Sequence, residues 1–173
     1  MIYFIFGKPG AGKSTIGRNI AQMLRIPFVD CDNFYTSNDL KRIQTNTFTI
    51  EESDAFFMRF IPILENYHKQ ESRVIASQSL FRQAQRDELR RIFPSVIRLI
   101  YLDVNDETCL KRLENKRQYT SGRQEQEPHF YTKEQFLVEI QEYEIPKHTD
   151  LRIENNCCVE NATLNLIQYI NRI

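Results

Sequence analysis

The chain has 173 residues, 41% of them hydrophobic, with 23 Lys and Arg balanced by 23 Asp and Glu. That length and composition predict one domain, residues 1–173, with a core of its own, and zero net charge offers no overall field for nucleic acid or an anionic membrane. No apolar run approaches the length of a membrane span or a secretory segment, so the expectation is a cytoplasmic protein, monomer or homodimer, acting on a small molecule. Cys31, Cys109, Cys157 and Cys158 lack a C-x-x-C spacing, which predicts free thiols, and His68, His129 and His148 stand singly, without a zinc pattern.

In chain order, Ile2-Tyr3-Phe4-Ile5-Phe6 reads as a buried parallel strand. Residues 7–14, Gly-Lys-Pro-Gly-Ala-Gly-Lys-Ser, follow it directly and complete the pattern G-x-x-x-x-G-K-[ST]. Gly7, Gly10 and Gly12 allow the positive φ angles that turn successive N–H groups toward phosphate oxygens. Ile16, Ile20, Ala21 and Leu24 then recur at helical spacing, which sets a helix N-terminus under the same phosphates. Lys8, Pro9, Ala11 and Thr15 complete the nucleotide-contacting stretch. Within it Lys13 reaches the β- and γ-phosphates and the Ser14 hydroxyl ligates Mg²⁺.

Ile26-Pro27-Phe28-Val29 predicts a second strand ending in Asp30-Cys31-Asp32, so two carboxylates stand at a carboxyl-terminal strand edge, where open α/β sheets bind ligands. Residues 33–42 read as helix plus loop and 45–49 as irregular. A longer helix starts at Ile50, with Thr49 and Glu52 as a capping box and Phe56, Phe57, Phe60, Ile63 and Leu64 as its apolar stripe; Pro62 predicts a kink. Residues 73–77 form the third strand, 81–93 a helix, and 96–102 the fourth strand. A helix over 106–116 begins near Asp106 and turns Leu110 and Leu113 inward. Residues 117–130 lack apolar periodicity and read as a mobile loop. A helix over 132–143, a strand near 151–153 and a helix over 162–170 complete the chain. Strands alternating with helices predict a three-layer α/β/α sandwich on a parallel sheet of five strands. Arg82, Arg86 and Arg90 recur on one helix face, which predicts a solvated row paired with Asp87 and Glu88, with Arg82 alone near enough to a strand end to touch substrate.

Taken together, these pieces resemble the small P-loop kinases of metabolites, the gluconate and shikimate kinase group, over nearly the whole chain. The residues that carry the likeness are Asp30, Asp32, Asn38 and Lys41 after the second strand, Lys111-Arg112-Leu113 with Arg117 beyond, and His129-Phe130 followed by Tyr143-Glu144-Ile145-Pro146. There are departures as well. Glu52-Ser53-Asp54-Ala55-Phe56-Phe57 stands where gluconate kinases carry Asp-Arg-x-Pro-Trp-Leu, and Ser77-Gln78-Ser79-Leu80-Phe81 replaces Cys-Ser-Ala-Leu-Lys. The loop between Arg117 and His129 is longer than in that group, and the Gly-Gly-Gly turn of shikimate kinases is absent.

The resemblance implies a P-loop NTPase fold with a lid over 117–130, ATP and Mg²⁺ as cofactors, and phosphoryl transfer to a hydroxyl of a small anionic, carbohydrate-like metabolite, gluconate first and a shikimate-type acid next. Under it Asp30 binds a water of the Mg²⁺ shell and Asp32 accepts a hydrogen bond from the acceptor hydroxyl. Arg112 stacks on adenine, Arg117 closes on the γ-phosphate, and Lys41, Arg82 and His129 contact substrate. Two alternatives stay open: a nucleoside or nucleoside monophosphate kinase, gripping its acceptor with Lys41, Arg42, Arg59 and Arg82, and a nucleotide-binding regulator with little transfer activity.

Overall fold

The computed structural model describes residues 1–120, 132–156 and 158–173, and of residues 116–120 the backbone alone. Five strands, β1 (Ile2–Phe6), β2 (Phe28–Asp30), β3 (Val74–Ser77), β4 (Ile97–Asp103) and β5 (Leu151–Glu154), form one sheet in the order β2-β3-β1-β4-β5. Every pairing is parallel. Helices α1 (Lys13–Leu24), α2 (Ser37–Gln44), α3 (Ile50–Gln70), α4 (Gln83–Ile92), α5 (Asp106–Thr120), α6 (Lys133–Gln141) and α7 (Val159–Ile170) fill the connections.

Side-chain alternation along β1 assigns the layers. Ile2, Phe4 and Phe6 enter one core with Phe56, Phe60 and Leu64 of α3 and Leu89 of α4. Tyr3 and Ile5 enter the other with Ile16 and Ile20 of α1 and Leu166 and Ile170 of α7. Both faces of the sheet are therefore covered, which is why β1 is apolar at every position and buried throughout. This is the expected three-layer α/β/α architecture with five parallel strands.

The capping box at α3 forms as read: Glu52 N–H donates to Thr49 Oγ1 at 3.3 Å and Thr49 N–H to Glu52 Oε2 at 2.8 Å. Element ends shift by a residue or more throughout, and four differences have a physical reading. β2 begins at Phe28, because Pro27 has no N–H to give a ladder. Ile61, not Ile63, completes the buried stripe of α3, which continues past the exposed Pro62 as one element. α7 starts at Val159 rather than Ala162. α5 runs on to Thr120, so helix takes up the first positions of the expected loop; Glu114, Lys116, Arg117 and Gln118 are good helix formers without needing an apolar stripe. The rest of the 117–130 lid, with Arg123 and His129, and the Arg117 side chain lie outside the described residues.

The arginine row of α4 is not a solvated face. Arg86 is fully buried, with its guanidinium 5.5 Å from the Phe6 ring centre and 5.8 Å from that of Tyr143. Its Nη2 donates to Glu144 O at 2.8 Å, while Nε, Nη1 and the Tyr143 hydroxyl have no hydrogen-bond partner among the described residues. Arg82 pairs with Asp54 and Arg90 with Asp150, at 2.7 Å, rather than with Asp87 and Glu88. The segment after α6 lies over this helix: Glu144 N–H reaches Phe81 O at 2.9 Å and Lys147 N–H reaches Gln83 Oε1 at 3.2 Å. Helical spacing identified the row correctly, but long-range packing decided which side of it meets water.

Candidate active site

β1 ends at Phe6 and the chain turns at once through glycine-bearing backbone into α1. Gly7, Gly10 and Gly12 hold φ of +153°, +78° and +95°. A Cβ on Gly7 would stand 2.6 Å from Leu102 O, and one on Gly10 would run into Cys109 O. The loop is thus pressed against the ends of β4 and α5, where only glycine fits. Gly12 is the left-handed residue that starts α1, so the first N–H groups of that helix, which lack intrahelical acceptors, open toward the loop.

Two side chains brace the loop from outside. Ala11 O accepts from Asn155 Nδ2 at 3.0 Å and from Arg112 Nη1 at 3.3 Å, while Arg112 Nη2 donates to Asn155 O at 2.8 Å. Asn155 is 1% exposed, and its Oδ1 has no partner among the described residues. The sequence reading missed it, because Asn155-Asn156 after a short strand looks like any polar turn. Lys8 pairs with Asp106 at the start of α5, Pro9 is buried, and Ser14 and Thr15 stand half-buried and exposed in the first turn of α1.

Lys13 is 7% exposed, and its Nζ donates to Gly7 O at 3.1 Å and Lys8 O at 3.0 Å. Burial lowers its pKa, and the charges of Asp32, Cys109, Asp30 and Glu139 oppose that shift. Asp32 is the strongest of the four, so the ammonium and the acid that the sequence singled out act on each other across one site.

Asp30 closes β2 at 8% exposure. Its Oδ2 takes Arg18 Nη2 at 3.0 Å and its Oδ1 takes Ser77 Oγ at 3.5 Å. Asp32 lies exposed in a single 3-10 turn, Cys31–Phe34, and its carbonyl accepts Tyr35 N–H at 3.3 Å. Tyr35 stacks on Phe56 with centroids 3.7 Å apart, and its hydroxyl accepts Gln78 Nε2 at 3.3 Å. Burial raises the Tyr35 pKa, and the charges of Asp32, Glu139 and Asp39 add to the rise. Glu139 is a second group that sequence reading did not single out. From α6, distant in the chain and without a motif of its own, its charge acts on Lys13 and Tyr35.

Lys41 is exposed on α2, and among the described residues its ammonium makes no ion pair. Arg82 is turned to Asp54 of α3 in a two-pronged pair. The site therefore gathers Gly7–Ser14, Arg112, Asp30 and Asp32 around Lys13, with Lys41 and Arg82 tied to none of them by a hydrogen bond or ion pair among the described residues. Mg²⁺ keeps most of its shell as water and substrate phosphate, with one or two protein oxygens, and the Ser14 hydroxyl and Asp30 carboxylate fit that demand. Among the described residues no helix is long and apolar enough to cross a membrane.

A family model described as shikimate kinase matches residues 9–168. The shikimate kinase of Vibrio parahaemolyticus is 36% identical over 77 residues, 43% of this chain and 42% of that enzyme, so the chain spans less than half the length of that relative. Among solved structures, the gluconokinase from Sinorhizobium meliloti aligns with a TM-score of 0.78 at 17% identity, covering 98% of this chain and 91% of that one. The shikimate kinase from Acinetobacter baumannii, in complex with shikimate, aligns with a TM-score of 0.57 at 22% identity, covering 99% and 93%. At these identities the structural likeness is one of fold.

Proposed function

This chain belongs to the shikimate kinase family, and from that premise we propose that it transfers the γ-phosphoryl group of ATP to a hydroxyl of a small, carbohydrate-like metabolite. The observation that carries the reading is the convergence on Lys13: the glycine loop's carbonyls hold the ammonium, and the Asp32 carboxylate, just past the end of β2, is the strongest of the charges that act on it.

Phosphoryl transfer asks a protein for position and for positive charge on the equatorial oxygens. The loop amides and the α1 N-terminus bind the phosphates, and the Lys13 ammonium leaves Gly7 O and Lys8 O for the β- and γ-oxygens. Asp32 accepts the proton-bearing end of the acceptor hydroxyl and aims its oxygen at the γ-phosphorus. Mg²⁺, when bound, neutralises charge on the β- and γ-oxygens, with Ser14 and Asp30 as its side-chain holders. Arg112, beside the loop, takes the nucleotide base. Arg117 is assigned to closure on the γ-phosphate, and His129 to contact with substrate, by family resemblance alone.

The finer expectation, an anionic acceptor with gluconate foremost, has thinner support, since Arg82 is occupied by Asp54 and Arg59 by Asp39. The same pairs, with Arg42 on Glu52 at 2.7 Å, count against an arginine grip on a nucleoside monophosphate. An ADP-release screen across sugar acids, shikimate, neutral sugars, nucleosides and nucleotides tests the proposal, with Asp32→Asn as control. The expected result is turnover on a non-nucleotide alcohol that Asp32→Asn lowers by about a hundredfold or more. Turnover confined to nucleotides, or an unaffected Asp32→Asn enzyme, refutes it.

A further inference from the structure

Helix α1 and strand β2 are fastened to each other at two successive points. Phe28 and Asp30, two apart on β2, share one face of that strand. A Cβ on Gly17 of α1 would stand 2.4 Å from Phe28 Cε2, so the ring lies directly against the helix backbone. Arg18, the next residue, closes the same contact. Its guanidinium carbon lies 5.6 Å from the centre of the Phe28 ring, and its Nη2 donates to Asp30 Oδ2 at 3.0 Å.

The orientation of Asp30 depends on that bond. The residue is buried, and the other contact of its carboxylate, Ser77 Oγ to Oδ1, is 3.5 Å long, at the outer limit of a hydrogen bond. Rotation about the bond to the carboxyl carbon is soft, so a carboxylate with one firm anchor turns when that anchor is lost. Arg18 also stands four residues after Ser14 on α1, which places the two on one face of that helix. Ser14 and Asp30, the side-chain holders of Mg²⁺, thus come from different elements, and Arg18 ties the second to the helix of the first.

On the reading of Ser14 and Asp30 as magnesium holders, we propose that Arg18 is a positioning residue of the nucleotide–Mg²⁺ site: it acts through Asp30, holding that carboxylate in one orientation relative to Ser14. With Oδ2 occupied by the guanidinium, Oδ1 keeps lone-pair capacity for a water of the metal's shell. Mg²⁺ demands near-ideal octahedral geometry and gives up its waters reluctantly, so a carboxylate that receives one of them has to be fixed in advance. The pair matters for orientation more than for folding, because the Arg18 side chain is 62% exposed, and an ion pair in that setting adds little to stability.

The test is calorimetry of ADP binding to the full chain, in Mg²⁺ and in EDTA, for the wild type, Arg18→Met, Arg18→Gln, Arg18→Lys, Asp30→Asn and the double variant Arg18→Met with Asp30→Asn. Mg²⁺ is expected to tighten ADP binding to the wild type. Arg18→Met and Arg18→Gln are each expected to shrink that gain about tenfold while leaving affinity in EDTA within about twofold, and Arg18→Lys, which keeps a cationic donor, is expected to recover most of it. In the Asp30→Asn background, Arg18→Met is expected to change the gain by less than about twofold, since the partner it acts through is already gone. A gain that both uncharged variants leave intact overturns the proposal, and so does one that Arg18→Met shrinks equally with and without Asp30; either result leaves the kinase reading standing. Should Mg²⁺ leave ADP affinity of the wild type unchanged, the Ser14–Asp30 assignment falls and this inference falls with it.

Discussion

Replacing Lys13 with Met separates what this residue does for the reaction from what it does for the fold. Its ammonium is 7% exposed and makes two hydrogen bonds, to Gly7 O at 3.1 Å and Lys8 O at 3.0 Å. Charge-assisted bonds of this kind contribute about 1.5–3 kcal/mol each. Against them stands the desolvation of a buried ammonium, an effective cost of several kcal/mol. The two nearly cancel, so Lys13→Met is expected to shift unfolding free energy by no more than about 2 kcal/mol in either direction. Transfer is different, because the charge counts most when negative charge gathers on the moving group. Loss of one such stabilising donor lowers kcat about 10²–10³-fold. The pH dependence has a definite sign. Burial lowers the Lys13 pKa below the usual 10.5, so the folded state binds protons less readily than the unfolded one. Its cost to stability is therefore full below the lowered pKa and fades as pH rises from there toward 10.5. Any gain from Met shrinks over the same window. Urea melts at pH 7 and pH 10, beside ADP-release kinetics, measure both halves. A kcat within tenfold of wild type refutes the catalytic half, and a loss of stability beyond about 4 kcal/mol refutes the balance of terms.

Asn155→Ala removes the Nδ2 bond to Ala11 O at 3.0 Å and is expected to cost about 1–2 kcal/mol of stability while raising the KM for ATP more than it lowers kcat; an unchanged KM contradicts the bracing role. Gly10→Ala puts a Cβ into Cys109 O at a φ of +78° and is expected to abolish ATP binding in calorimetry, so retained affinity within twofold would show that the loop yields more easily than its packing implies. Burial pushes the Cys109 thiol up to about 11 and the Cys31 thiol well above its ordinary value. At pH 7 maleimide is therefore expected to spare both until urea unfolds the chain, and mass spectrometry finding either one labelled in the native protein would count against that burial.

The fold was legible where a local pattern and a long-range need coincided. β1 is apolar at every position because both of its faces are covered, so the pattern that reads as a parallel strand is a direct consequence of its place at the centre of the sheet. The Thr49–Glu52 box was legible because a cap is a contact between residues three apart. The phosphate loop was legible because its glycines are demanded by backbone geometry that little else satisfies. Arg86 was not. Its spacing with Arg82 and Arg90 is the same whether the face meets water or the segment after α6, and that segment arrives from 58 residues further along. Asn155 and Glu139 were hidden for the same reason: each acts on residues more than a hundred positions away, and neither belongs to a pattern of its own. The Asp30–Arg18 pair also needed coordinates, since it joins a strand end to the outer side of α1.

The two outermost strands are brief: β2 has three residues and β5 four. β5 is further armed with Arg152, clasped to Asp103, and with an exposed Glu154. A foreign polypeptide trying to extend the sheet from either margin would find only a few backbone partners, and on one side it would have to thread between charges. This geometry discourages stacking of copies edge to edge in concentrated solution, and it leaves the helical layers as the ground on which any stable association would have to be built.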